Sequence, residues 1–577
     1  MRGFHFPLDF SNLKCYGLKR NALKRLCVKA KCTIWHNLSV PKQRVMYDIV
    51  AVRCKKSFYN RDNTGRSKKM IIKIAMLLLF FGVMIGVGVY CRKNATDVNG
   101  FVLGGRSVGP WLTAFAYGTS YFSAVIFVGY AGQFGWKFGL ASTWIGLGNA
   151  FIGSLLAWVL LGRRTRVMTR HLESKTMPEF FGSRFDSPML KIVSSIIVFV
   201  FLIPYTASLY NGLSRLFGMA FQMDYTVCIV VMAILTGIYV IAGGYMATAI
   251  NDFIQGLVML VGIVAVILAV LASQGGFMAA YEKLATVTDE SVSTMPGLFA
   301  SFFGPDPFSL LCVVILTSLG TWGLPQMVQK FYAIKNEEAI RKGTIISTAF
   351  ALVVAGGCYF LGGFGRLYNI DVAKVGYDAI IPAMIEKLSP FLIAVVVILV
   401  LSASMSTLSS LVLASSSTLT LDLIKGTIAK KMEEKTQVLI MRVFIVVFIV
   451  ISAVIAIVQY KSNVTFIAQL MGVSWGALAG AFLAPFILSM YWKGVTKLAV
   501  LVNFIFGAGL LTANMLVRPS FPKVLQSPIN CGAFAMLAGL IIVPIISLIT
   551  PKMKKDRVEQ IFACFKKPEA KPENRDL

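Results

Sequence analysis

The chain has 577 residues, 56% of them hydrophobic and only 14% charged, with a mean hydropathy of +0.73. So little charge excludes an ordinary soluble domain and predicts an all-α polytopic membrane protein. The net charge of +30 does not describe a nucleic-acid-binding face: basic residues gather in residues 1–69 and in short loops between apolar runs, where membrane proteins keep them.

Residues 1–69 are rich in Lys and Arg, poor in acids, and hold no membrane-length apolar run. They read as a basic N-terminal extension, disordered or upstream of the true start, since Met70 opens a natural first helix. Apolar runs place about thirteen spans, near 71–90, 109–131, 139–162, 189–217, 225–243, 252–273, 307–329, 344–366, 389–420, 438–459, 464–490, 497–517 and 529–549. A transmembrane domain over 70–550 is therefore expected, followed by a cytoplasmic tail, 551–577. Basic loops such as RRTRVMTRH (163–171), QKFYAIKNEEAIRKG (329–343) and KGTIAKKMEEK (425–435) fall on one side. They predict a multi-pass plasma-membrane protein with the C-terminus cytoplasmic and the N-terminus of the first helix outside. A basic extension placed outside would run against that rule.

Within the spans, several residues exceed what crossing a bilayer needs. The second span holds Gly118, Thr119, Ser120 and Ser123 in mid-run. An unwound segment is tolerated there only if it lines an enclosed cavity, the other reading being helix packing. The fourth span carries Pro204, Tyr205, Asn211 and Arg215; Arg215 reads either as part of a cavity wall or as snorkelling to the outer interface. Asp252 and Gln255 open the sixth span, with Asp252 as a functional carboxylate or a helix cap. Gly320, Gly323 and Pro325 break the seventh span beside Thr317, Ser318, Thr321 and Gln326. The ninth span reads LSASMSTLSSLVLASSSTLTLDLIK from Leu401 to Lys425. On a helix, Ser402, Ser406, Ser409 and Ser410 share one face, a column of neutral oxygens suited to a hard cation or to close packing. Two broken helices at matching places in two halves point to an inverted repeat with a site at mid-membrane, the halves lying near 109–273 and 307–490.

The segments FVLGGRSVGPW, TMPEFFGSRF, GGYMATAINDFIQG, PQMVQKFYAIK and SMSTLSS…SSSTLTLDL, in this order, resemble the sodium:solute symporter family of sodium/proline, sodium/pantothenate and sodium/glucose symporters. The resemblance implies a LeuT-like five-plus-five inverted repeat and sodium-driven uptake of a small organic solute by alternating access. It implies a first sodium site from the carbonyls of Thr119 and Phe122 with the hydroxyls of Ser406 and Thr407. A second site would use Asp252, Ser406, Ser409 and Ser410, although the usual Thr before the carboxylate is Asn251 here. The number of sodium ions thus stays open between one and two. Where proline transporters carry an acid in the first broken helix this chain has Tyr121, and the third span lacks the arginine expected for sialic acid. A solute cavity of Tyr121, Gln133, Tyr205, Thr321, Trp322 and Gln326 would suit a small polar or zwitterionic solute, among amino acids such as proline, pantothenate, sugars and carboxylates.

Alternatives on the same fold are a proton-coupled carrier, in which Asp252 titrates, and a solute sensor. An enzyme is not expected, because His5, His36 and His171 lie beside no nucleophile in a span. Ten cysteines without a CxxC pair imply free thiols and no metal cofactor beyond the coupling sodium. The partners expected are a small solute, sodium and the lipid bilayer, with no nucleic acid and no obligate protein. Asp422 reads as a surface partner of Lys425, and Ser415 to Ser417 as packing.

Overall fold

The computed structural model describes residues 74–221, 224–290, 292, 295–429, 431–462 and 467–566. The N-terminal extension expected over 1–69 and the last residues of the tail lie outside this set. The described residues are mainly helical, and an isolated parallel bridge joins Val108 to Ile334.

Chain order gives α1 (Ile74–Cys91), α2 (Pro110–Tyr121), α3 (125–138), α4 (143–171), α5 (Met177–Phe185), α6 (Pro188–Phe221) and α7 (Tyr225–Ser273). Then follow α8 (Pro307–Leu319), α9 (Pro325–Ala333), α10 (Glu337–Gly362) and α11 (Pro390–Ser417), which runs on in wider turns to Ile424. The last four are α12 (Glu434–Ser462), α13 (Ile467–Tyr491), α14 (Lys497–Leu516) and α15 (Pro528–Ile549).

Helix starts follow local chemistry. Asp306 accepts from Ser309 N at 3.0 Å ahead of Pro307, and Ser389 accepts from Leu392 N at 3.3 Å ahead of Pro390. A short polar side chain thus satisfies an orphan N–H, and proline sits where no N–H is needed. Burial then sorts the helices. Most of α13 (94% of its apolar window) and α11 (78%) lies inside the protein, against 39% for α14 and α15. The hydroxyl-rich α11 is therefore a central helix.

Ten helices are long and apolar enough to span a membrane among the described residues, or eleven when α8 and α9 count as one bent span. The thirteen expected runs differ from this count because breaks do not fall where the apolar runs end. Helix α2 stops after 12 residues. The 125–171 stretch passes through Gly139 (φ +61°), and α7 through Gly244 (φ 58°, ψ −153°). Gly244 joins two expected spans into one kinked helix, in a backbone region open only to glycine.

Three sequence readings change here. Residues 163–171 form the end of α4 rather than a solvated loop, and Arg166 is buried, donating to the carbonyls of Ile334 (3.0 Å) and Lys335 (2.6 Å). Asp252 lies inside α7 and caps nothing. Asp422 is fully buried, and its cation is Lys191 at 3.3 Å rather than Lys425, whose ammonium goes to Gln437. Asp422 also accepts from Thr176 Oγ1 at 2.5 Å. A carboxylate at a helix end gains nothing from the dipole there, so it is held by partners from α5 and α6.

Candidate functional site

The two interrupted helices break in the same way. After Tyr121 the chain leaves α2 at Phe122 (φ −94°, ψ 124°), and after the tight turn Gly320–Gly323 it leaves helical geometry at Leu324 (φ −87°, ψ 121°). The second break bends α8 from α9 by 46°. Each break strips carbonyls and amides of their helical partners, which is tolerable in a membrane only where other groups meet them.

At the first break those groups are the α11 hydroxyls. Ser406 Oγ donates to Thr119 O at 3.1 Å. Thr407 Oγ1 lies 3.3 Å from Thr119 O, 3.4 Å from Ser120 O and 3.4 Å from Phe122 O. All of these residues are buried. Three carbonyls at the negative end of α2 and two hydroxyls thus face one point, a donor set of neutral oxygens that suits a hard monovalent cation. The four residues expected at the first sodium site are brought together. One turn away, the Ala124 amide donates to Ser404 Oγ at 3.2 Å, closing the break against α11.

Residues expected at a second site meet a different group. Ser410 Oγ pairs with Ser120 Oγ at 2.8 Å and accepts from Lys330 Nζ at 2.9 Å. Lys330 is buried in α9, with Asp252 Oδ2 3.7 Å from its ammonium and the Tyr245 ring centroid at 5.2 Å. Ser409 turns away, its hydroxyl bonded to Ser406 O at 2.9 Å. Lys330 belongs to the 329–343 run read as a basic loop, and its burial corrects that reading. Asp252 is set in place by neighbours on its own helix: the Asn251 amide donates to Met84 O at 3.2 Å, and Gly256 lies flush on Phe115 and Thr119 of α2.

The expected solute residues gather only in part. Trp475 of α13, absent from the sequence reading, stacks on Tyr121 (5.8 Å between ring centroids, 25°) and meets Tyr205 edge-on at 5.8 Å. The Tyr205 hydroxyl has the Ser123 hydroxyl and the Trp475 indole N–H as neighbours, while both amide atoms of Gln326 are buried without a hydrogen-bond partner. Buried polar atoms left open in this way are what a polar solute can satisfy. Thr321 and Trp322 spend their polar atoms on the carbonyls of Gly153 (3.2 Å) and Ile152 (3.1 Å), so they anchor the second break to α4. Gln133 is buried about three turns beyond the first break.

At one end of the bundle the two broken helices are tied together. Val108 N donates to Ala333 O (3.2 Å) and Lys335 N to Val108 O (3.0 Å). The Arg106 guanidinium reaches Ser174 O at 2.7 Å, with Thr169 O and Tyr332 O at 3.4 Å.

The chain as a whole is similar to known proteins. The osmoregulated proline transporter OpuE of Bacillus subtilis (strain 168) is 28% identical over 506 residues, covering 86% of this chain and 98% of OpuE. A sodium/proline symporter of Staphylococcus aureus (strain JH9) is 29% identical over 496 residues, covering 83% and 92%. A sodium-coupled sialic acid symporter, solved substrate-bound in an outward-open state, shares the fold with a TM-score of 0.68 at 16% identity, over 84% of this chain and 98% of that one. The sodium:solute symporter family description matches residues 101–507, and the chain belongs to that family: it is an all-α membrane transporter of LeuT-like architecture and not an enzyme.

Proposed function

We propose that this sodium-coupled symporter imports a small zwitterionic amino acid, with proline the first solute to test. The reading is carried by the convergence of Ser406 and Thr407 on the carbonyls of Thr119, Ser120 and Phe122, which supplies a cation site next to a closed aromatic cluster. Sodium at those oxygens would fix the broken ends of α2 against α11, and so shape the walls on which Tyr121, Tyr205 and Trp475 sit. Coupling then follows from linkage: an ion that binds only the ordered break raises affinity for a solute that needs the same order. The names of the relatives favour proline, and the aromatic faces of Tyr121 and Trp475 suit its apolar ring. Residues 139–162 hold no arginine, which weighs against a sialic acid carboxylate. The basic residues gathered at the end holding Arg106 favour a cytoplasmic position for that end, in a plasma-membrane carrier. Residues 109–273 and 307–490 act as the two inverted repeats.

Uptake of labelled proline into proteoliposomes is the direct test. Transport should require an inward sodium gradient, and Ser406→Ala or Thr407→Ala should raise the sodium concentration for half-maximal uptake by about tenfold. Unchanged sodium dependence in both variants would remove the site from this assignment. Uptake driven by a pH gradient in sodium-free medium would favour a proton-coupled carrier instead.

A further inference from the structure

A buried carboxylate in a membrane core must be neutralised, either by a mobile cation or by one the protein supplies. Asp252 is fully buried, and the cation beside it is the ammonium of Lys330, 3.7 Å away and itself 2% exposed. Lys330 is held from three sides by groups of other helices. Ser410 Oγ on α11 accepts from it at 2.9 Å, Asp252 and Tyr245 approach it from α7, and Ser410 is bound in turn to Ser120 of α2 at 2.8 Å. Of the groups that could take up a second sodium, Ser410 Oγ is thus engaged by the ammonium, and the Asp252 carboxylate already has that ammonium as its counter-charge. Ser409, which could have joined them, bonds back to its own helix. The first site is different in kind, since its contacts are carbonyls and hydroxyls with no fixed charge among them.

We infer that Lys330 is a built-in second cation: its tethered ammonium occupies the place between Asp252 and α11 that a second sodium would take, so the carrier moves one sodium with each solute. This rests on the sodium-coupled reading above. The lysine is carried by α9, directly after the second break, while the first break carries the mobile ion's carbonyls. One broken helix thus brings a dissociable cation and the other a permanent one. A fixed ammonium keeps α7, α9 and α11 joined whether or not sodium is bound, whereas a second free ion would leave that contact dependent on the sodium concentration.

The test counts radiolabelled sodium bound to purified full-length protein by equilibrium dialysis, which requires no knowledge of the solute. Wild type should bind about one sodium per chain. Lys330→Gln should bind about two, because Asp252 is then left to recruit an ion from solution. The double variant Asp252→Asn/Lys330→Gln should return to about one, since carboxylate and ammonium are lost together. Two ions on the wild type would overturn the inference while leaving sodium coupling intact, and this holds even if a variant fails to fold. A folded Lys330→Gln that still binds one ion would overturn it too. No sodium on the wild type would defeat the sodium-coupled reading itself, and the inference with it.

Discussion

Thr407 makes contacts that a packing residue has no need of: one hydroxyl, three carbonyls from a neighbouring helix and one from its own. Such residues could be found in the sequence because hydroxyls are conspicuous in an apolar run. Charges near span ends were harder to place. Lys330 and Asp422 both stand close to basic loops, and position along the chain does not say whether a side chain turns outward or into the protein. Trp475 gave no signal, since a tryptophan among small apolar residues is ordinary membrane packing. Asp422 allows a test of how much buried pairing matters. Lys191→Met should lower stability by about 3–5 kcal/mol, because it leaves a buried carboxylate without its cation. Lys191→Met/Asp422→Asn should recover much of that loss. Thermal unfolding in detergent measures both, and equal loss in single and double variants would show that Lys191 acts through packing alone.

Elements are held at a closeness that only glycine permits at a few crossings. Where α3 meets α10, a Cβ on Gly135 would stand 2.1 Å from the carbonyl of Gly362, and a Cβ on Gly362 would stand 2.1 Å from the carbonyl of Ala131. Both obstacles are backbone, so no rotamer change relieves them. Gly135→Ala is expected to push α3 off α10 and lower the yield of folded protein severalfold. Size-exclusion profiles in detergent would report this, and a wild-type profile would show that the crossing can widen. The breaks themselves were legible from Gly118–Ser123 and Gly320–Pro325, because glycine and proline interrupt helices for reasons independent of tertiary context. The span count was not legible to the same degree. Hydropathy cannot tell a short helix ending at a functional break from one that merely bends, as α7 does at Gly244.

At the scale of the molecule, the two broken helices are latched at one end by the Val108–Ile334 bridge and by Arg106. Arg106 bridges the carbonyls of Tyr332, Thr169 and Ser174, so its removal should loosen the whole closure. Arg106→Ala is expected to speed amide exchange at Val108 and Lys335 by about tenfold or more, as a low-cost local opening becomes accessible. Hydrogen exchange with mass spectrometry resolves those peptides. Unchanged protection would place the strength of the latch in the backbone bridge alone.

The pairing of Lys330 with Asp252 also has an electrical consequence. A carrier that returns empty brings to mid-membrane a carboxylate already matched by an ammonium, so that pair contributes no net charge to the return step. The membrane field then acts on the sodium-loaded crossing, where a full passage of one charge is worth about 2.3 kcal/mol per 100 mV. A voltage jump applied without sodium should accordingly displace almost no charge. In Lys330→Gln the bare carboxylate would itself move with the field, and a sodium-free charge transient should emerge.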